Sequence, residues 1–233
     1  MIILFALFCV IGVMGGLGWY LRVLGEKWKL WEVWLSFCAL IFGAALGYQI
    51  CPQRWSEFSM VLSSLFGGAA MSSFVLLRAS GKKLGLKSFD KSIFPLILVV
   101  TIAQIALSTA WVALLNQLVP DLPPQTLVES FGRSTSLERA SLFFLIVAWA
   151  PLTEELMVRG FLWGALEGDW KKRALISGIV FGFLHFDNLY AVFPLTIYGF
   201  MLGWLRWKSK SLWAPTLSHI GNNLVVLMSV LWA

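Results

Sequence analysis

Charge is scarce in this chain. Only 13% of its 233 residues are Asp, Glu, Lys or Arg, where a soluble domain carries about 25%. With 59% hydrophobic residues and a mean hydropathy of +0.80, the shortfall excludes an ordinary water-solvated globule and makes lipid the main solvent. Cysteine is nearly absent. Cys9, Cys38 and Cys51 are odd in number and lie in or beside apolar runs, which excludes a disulfide framework or a cysteine metal site and leaves them as packing residues. Basic residues are missing from the first 20 positions, and Arg22 follows the first apolar run. There is thus no positive n-region of a cleavable signal, and a retained helix with its N-terminus outside is expected. Strand-like alternation is missing as well, which excludes an outer-membrane barrel. No internal repeat is visible.

What remains is apolar runs. A crossing helix needs about 20 residues, and runs of this kind fall at about 2–21, 30–51, 58–77, 92–118, 140–166, 174–190, 191–206 and 212–232. The expectation is an all-α polytopic membrane protein of about eight transmembrane helices, since lipid leaves the backbone no other way to satisfy its hydrogen bonds. The sixth and seventh runs are short and split only by Asn188 and Pro194, so a re-entrant pair is the alternative. Three segments follow: N-terminal helices over 1–118, a Pro-, Ser- and Thr-containing loop over 119–139, and a core over 140–233 that carries the buried polar residues.

The basic residues orient the chain. Arg22, Lys27 and Lys29, then Arg78, Lys82, Lys83, Lys87 and Lys91, then Lys171, Lys172 and Arg173, then Arg206, Lys208 and Lys210 fall in alternate loops; only Arg54, Arg133 and Arg139 fall in the others. By the positive-inside rule the basic loops are cytoplasmic and both termini outside. The +6 net charge belongs to these loops and marks no nucleic-acid partner. Trp28, Trp55, Trp170, Trp207, Trp213 and Trp232 lie near span ends, where interfacial anchoring is expected.

Ionisable groups inside a membrane span are costly, about 2.5–3.5 kcal/mol for Asp, Lys or Arg at a helix centre, and mark a functional site by default. Three spans carry them. The fifth holds Glu154, Glu155 and Arg159. Glu155 and Arg159 are four apart on one helical face and predict an ion pair. Glu154 points about 100° away, with no basic residue at helical spacing in its own segment. Burial disfavours the charged form of a carboxyl group, a direction that suits general acid–base work near neutral pH. The sixth span places Phe181 and His185 on one face. The eighth does the same for His219 and Asn223, with Asn222 beside them. Alone, any of these is packing or interhelical glue. Together they supply a base, two imidazoles and an amide donor, the parts needed to activate water and stabilise an oxyanion.

Glu154-Glu155-x-x-x-Arg159, Phe181-x-x-x-His185 and His219-x-x-x-Asn223, each in its own span, resemble the CPBP family of intramembrane proteases. These are the glutamate-dependent type II CAAX prenyl endopeptidases and their bacterial Abi or bacteriocin-immunity relatives. The resemblance covers about 140–233. It implies an endopeptidase in which Glu154 and His185 activate a water, His219 and Asn223 hold the oxyanion, and Glu155, Arg159 and Phe181 support the site. It implies a peptide or membrane-protein substrate, with the bilayer as surroundings and the cell membrane as location in a bacterium.

A metal-free Glu/His mechanism is favoured. The alternative is a divalent metal such as zinc on Glu154, His185 and His219, a two-His, one-carboxylate set with an open position. Two other functions compete. Buried Glu, His and Arg also line proton relays and transporters, although no repeat relates the two halves. A family member can also serve as a non-proteolytic scaffold or immunity protein. A water-filled cavity is expected between the fifth, sixth and eighth spans, open toward Lys171–Arg173 and Lys208–Lys210, with Thr153 and Ser218 accessible from it.

Overall fold

A computed structural model describes residues 2–25, 27–51, 58–119 and 134–232. All regular structure among these residues is helical. The long helices are α1 (Ile2–Leu24), α2 (Leu30–Gln49), α3 (Ser59–Arg78), α4 (Phe94–Leu118), α5 (Ser136–Ala165), α6 (Trp170–Phe183), α7 (Leu189–Ser209) and α8 (Trp213–Trp232). A one-turn helix, Gly81–Leu84, follows α3. The protein is an all-α, multi-pass membrane protein.

Six of the eight expected spans are supported by length and composition. Among the described residues six helices are long and apolar enough to cross a membrane: α1, α2, α3, α4, α5 and α7. The 14 residues of α6 reach only about 21 Å at 1.5 Å per residue, short of the roughly 30 Å hydrocarbon core. In α8 the residues His219, Asn222 and Asn223 dilute the hydropathy of a 20-residue helix. The break between the sixth and seventh runs is a turn at 184–188. Pro194 does not cause it, because that residue lies inside α7.

The chain packs as two compact units, 1–87 with 136–167 and 88–135 with 168–233. This division differs from the boundaries expected at 118 and 140. The helix bearing Glu154 packs with the first three helices, and α4 packs with the last three. Residues 120–133 of the expected loop lie outside the described residues, and α5 begins at Ser136.

In the first unit α3 packs against both α1 and α2, which barely touch each other. The approach is close because small residues line it. A Cβ on Gly43 would lie 2.5 Å from the Phe66 carbonyl oxygen, the kind of backbone contact by which membrane helices associate without a hydrophobic driving force. At the end of α3, Arg78 is buried in an ion pair with Glu32 of α2. Its Nη1 donates to Gly25 O at 2.8 Å and its Nη2 to Lys27 O at 3.0 Å. The residue counted as loop charge is thus a clamp on the α1–α2 connection.

In the second unit α6 and α7 form a tight antiparallel pair. A Cβ on Gly182 would lie 2.7 Å from the Val192 carbonyl. Phe181, Tyr198, Leu202, Leu205 and Ala214 form the core with Ile93, Ile97 and Val100 of the α4 end. Asp90 opens that end, accepting from the Ser92 N–H at 2.8 Å, a bond that holds its carboxyl below the usual range. Trp170 and Trp207 stack at 4.6 Å, tying the start of α6 to the end of α7. Lys210, at φ 55°, turns the chain from α7 into α8.

Candidate functional site

Helix α5 is not a regular α-helix. Two π-helical stretches, Leu145–Trp149 and Leu156–Leu162, flank the α-helical piece Ala150–Glu155. Pro151 explains the first. Proline has no N–H to give and its ring crowds the carbonyl four residues back, so the turn widens and the Ala150 N–H reaches Leu145 O instead. Such wide turns are rare and are frequent at functional sites. Thr153 donates to the Trp149 and Ala150 carbonyls at 2.9 and 3.0 Å. The Trp149 indole donates to Ser64 O of α3 at 3.0 Å, beside Gly68. The glutamates therefore sit on a short, braced segment between two wide turns.

Glu155 and Arg159 form the expected pair. Arg159 Nη1 donates to Glu155 Oε1 at 2.8 Å, with both side chains at 0% exposure. Glu154 is half-buried, in contrast to its neighbour. Thr153, expected to border water, is buried. Near the end of α5, Phe161 stacks on Trp28 at 5.2 Å, and the Trp28 indole donates to Phe161 O at 2.9 Å. Trp28 is 8% exposed and is a core plug for this helix rather than an interfacial anchor. Trp55 lies outside the described residues.

In the second unit Phe181 is the hub. Its ring lies 5.2 Å from His185, 5.3 Å from His219 and 6.3 Å from Tyr198. His185 was expected within the sixth span but occupies the turn after α6. Helix α6 ends at Phe183, one residue after the close approach of α7 at Gly182. The histidine still contacts Phe181 one turn back, with its Nδ1 3.0 Å from Phe181 O. A carbonyl only accepts, so Nδ1 carries a proton, and in the neutral ring the lone pair lies on Nε2. That tautomer suits a proton acceptor or a metal ligand alike.

His219 is 4% exposed, held between the rings of Phe181 and Tyr198. One residue before it, the Ser218 hydroxyl joins Thr101 Oγ1 at 2.9 Å and Tyr198 OH at 3.2 Å. This hydroxyl chain ties α8 to α4 and α7 directly beside the imidazole. Ser218 was expected to face water and is instead fully buried. Asn223, one turn past His219, is half-buried, and its Oδ1 accepts from Asn222 Nδ2 at 3.3 Å. Thr101 and Tyr198 escaped sequence reasoning, and Ser218 was read only as a cavity-facing position, because hydroxyls are common in membrane helices. Tyr198, in an apolar run with a hydroxyl to satisfy, was the one usable signal.

The structure brings together Glu155 with Arg159 in the first unit, and Phe181 with His185 and His219 in the second. Among the described residues neither unit by itself gathers three His, Cys, Asp or Glu side chains as metal ligands. A set of Glu154, His185 and His219 would draw on both.

Comparison with known proteins follows the same residues. Residues 136–225 match a family model described as type II CAAX prenyl endopeptidase Rce1-like. A Bacillus subtilis (strain 168) protein named "Putative membrane peptidase YdiL" is 32% identical over 83 residues, which are 34% of this chain and 34% of that protein. No solved structure matches the chain. Glu154, Glu155, Arg159, Phe181, His185, His219 and Asn223 all fall within the matched segment. Over residues 136–225 the chain is thus similar to the type II CAAX prenyl endopeptidase Rce1-like family, and it spans about a third of the length of the membrane peptidase it matches.

Proposed function

We propose that the protein is an intramembrane endopeptidase that cleaves peptide bonds of membrane-associated or CAAX-like substrates with a water activated by Glu154 and His185. The observation that carries this reading is the match of 136–225 to an endopeptidase family over all seven motif residues. The local chemistry supports it. Glu154 retains partial exposure on a braced segment. His185 has its Nδ1 engaged and its Nε2 left to accept a proton. His219 and Asn223 supply donors to a tetrahedral oxyanion, where such donors contribute most to acyl transfer. Glu155 and Arg159 hold the helix, and Phe181 holds both imidazoles. The basic loops are proposed to be cytoplasmic.

The test is turnover in proteoliposomes. Peptides ending in a CAAX-like sequence, prenylated and not, are offered to the wild-type protein and to Glu154→Gln. The variant is expected to lose turnover by at least about 10²-fold, the lower end for loss of a general base, with abundance near normal. Turnover is expected to survive a chelator; loss restored by zinc would replace the Glu/His dyad with a metal centre. Membrane proteomes of a null strain and one carrying Glu154→Ala should show the same uncleaved substrates. Full rescue of the null by Glu154→Ala would instead assign a non-proteolytic role, and substrate-dependent ion flux a transporter.

A further inference from the structure

We infer that the first unit binds the phosphate of an anionic lipid in a cavity lined by Arg22, Arg78, Ser80 and Lys83. This site lies outside the segment 136–225 and does not depend on the proposed protease activity.

Among the described residues three of the four lining side chains are cationic and none is acidic; the fourth offers a hydroxyl. The cavity holds about 60 Å³, room for roughly four or five water-sized groups, which is the scale of a phosphate with its oxygens. Arg78 is a rigid wall of it. Four bonds, two to Glu32 and one each to Gly25 O and Lys27 O, fix the guanidinium. A guanidinium has five N–H groups in a planar fork matched to phosphate, so one Nη1 N–H remains beyond these bonds. The buried ion pair therefore pre-orients a phosphate donor as well as clamping the loop. Arg22 and Lys83 are exposed at the rim of the cavity.

The setting selects a lipid over a soluble phosphate. The cavity lies where α1 and α3 both end, at Leu24 and Arg78. The last turns of these helices carry exposed apolar side chains, Val23 and Leu24 on one and Leu76 and Leu77 on the other. A phosphate held by the cationic residues would have its acyl chains along this apolar surface, the arrangement by which basic pockets between membrane helices take anionic headgroups.

The experiment is thermal unfolding of the full-length protein in detergent, with phosphatidylglycerol, phosphatidylcholine or inorganic phosphate added. Phosphatidylglycerol at ten times its Kd is expected to raise Tm by roughly 3–6 °C, and the other two additions to leave it unchanged. Replacing exposed Arg22 and Lys83 together by Ala should leave the unliganded Tm near the wild type and weaken phosphatidylglycerol at least about tenfold. The pair Lys82→Ala and Lys87→Ala, equal in charge but outside the cavity, should respond as the wild type does. Equal weakening in both pairs would reduce the effect to general surface charge and overturn the site. An equal shift with inorganic phosphate would overturn its assignment to a lipid.

Discussion

Replacing Glu155 by Gln should unfold this protein far more readily than replacing Glu154. Arg159 is fully buried and Glu155 lies 2.8 Å from it, also fully buried. At that separation the pair attracts by about 6 kcal/mol with an effective dielectric of about 20. The amide of Gln still fills the space but carries no charge, so Arg159 keeps its desolvation cost without the compensating carboxylate. Breaking a buried pair in this way costs about 3–5 kcal/mol. For a chain of this size each kcal/mol lowers Tm by about 2–4 °C, so a fall of roughly 6–20 °C is expected. Tm is read on purified protein in detergent, and abundance from size-exclusion of tagged membranes. A companion variant makes the test specific. Glu155→Gln with Arg159→Met removes both charges and should recover much of the loss, because an apolar replacement of a buried pair is often neutral or better. A Glu155→Gln Tm within a degree of the wild type, or a double variant worse than the single one, would refute the reasoning.

Gly182→Ala should separate α6 from α7, since its Cβ would lie 2.7 Å from the Val192 carbonyl; the expected result is poor expression, with Gly12→Ala, which meets nothing within 4 Å, as the harmless control. Tyr198→Phe removes one hydroxyl from the chain beside His219 and should cost about 0.5–1.5 kcal/mol of stability. If His219 acts on the substrate, the variant should also lower kcat with little change in KM, and an unchanged kcat would separate the hydroxyl chain from catalysis. If all eight apolar runs cross, reporter fusions at Gly81, Gly168 and Ser209 should report the cytoplasm, and fusions at Gln125 and Ala233 the opposite side; a Ser209 fusion on the opposite side would mean that the chain between 174 and 206 crosses only once, and a cytoplasmic C-terminus would break the eight-span arrangement.

Composition and spacing were enough for whatever depends on neighbours along the chain. Scarce charge and long apolar runs determine a helical membrane protein, because lipid tolerates no unpaired backbone. The four-residue spacing of Glu155 and Arg159 determines their ion pair, and that of Phe181 and His185 their contact, because one helical turn brings such residues together. His185 reached Phe181 even from a turn. Tertiary structure decided what depends on distant residues. Glu32 and Arg78 meet across 46 positions, and Thr101 meets Ser218 across 117; no sequence period reports such pairs. The partner of α5 was decided there too. A helix as apolar on most sides as its neighbours carries no stripe to say what it packs against, and small residues such as Gly68, fitted beneath Trp149, make that choice by shape.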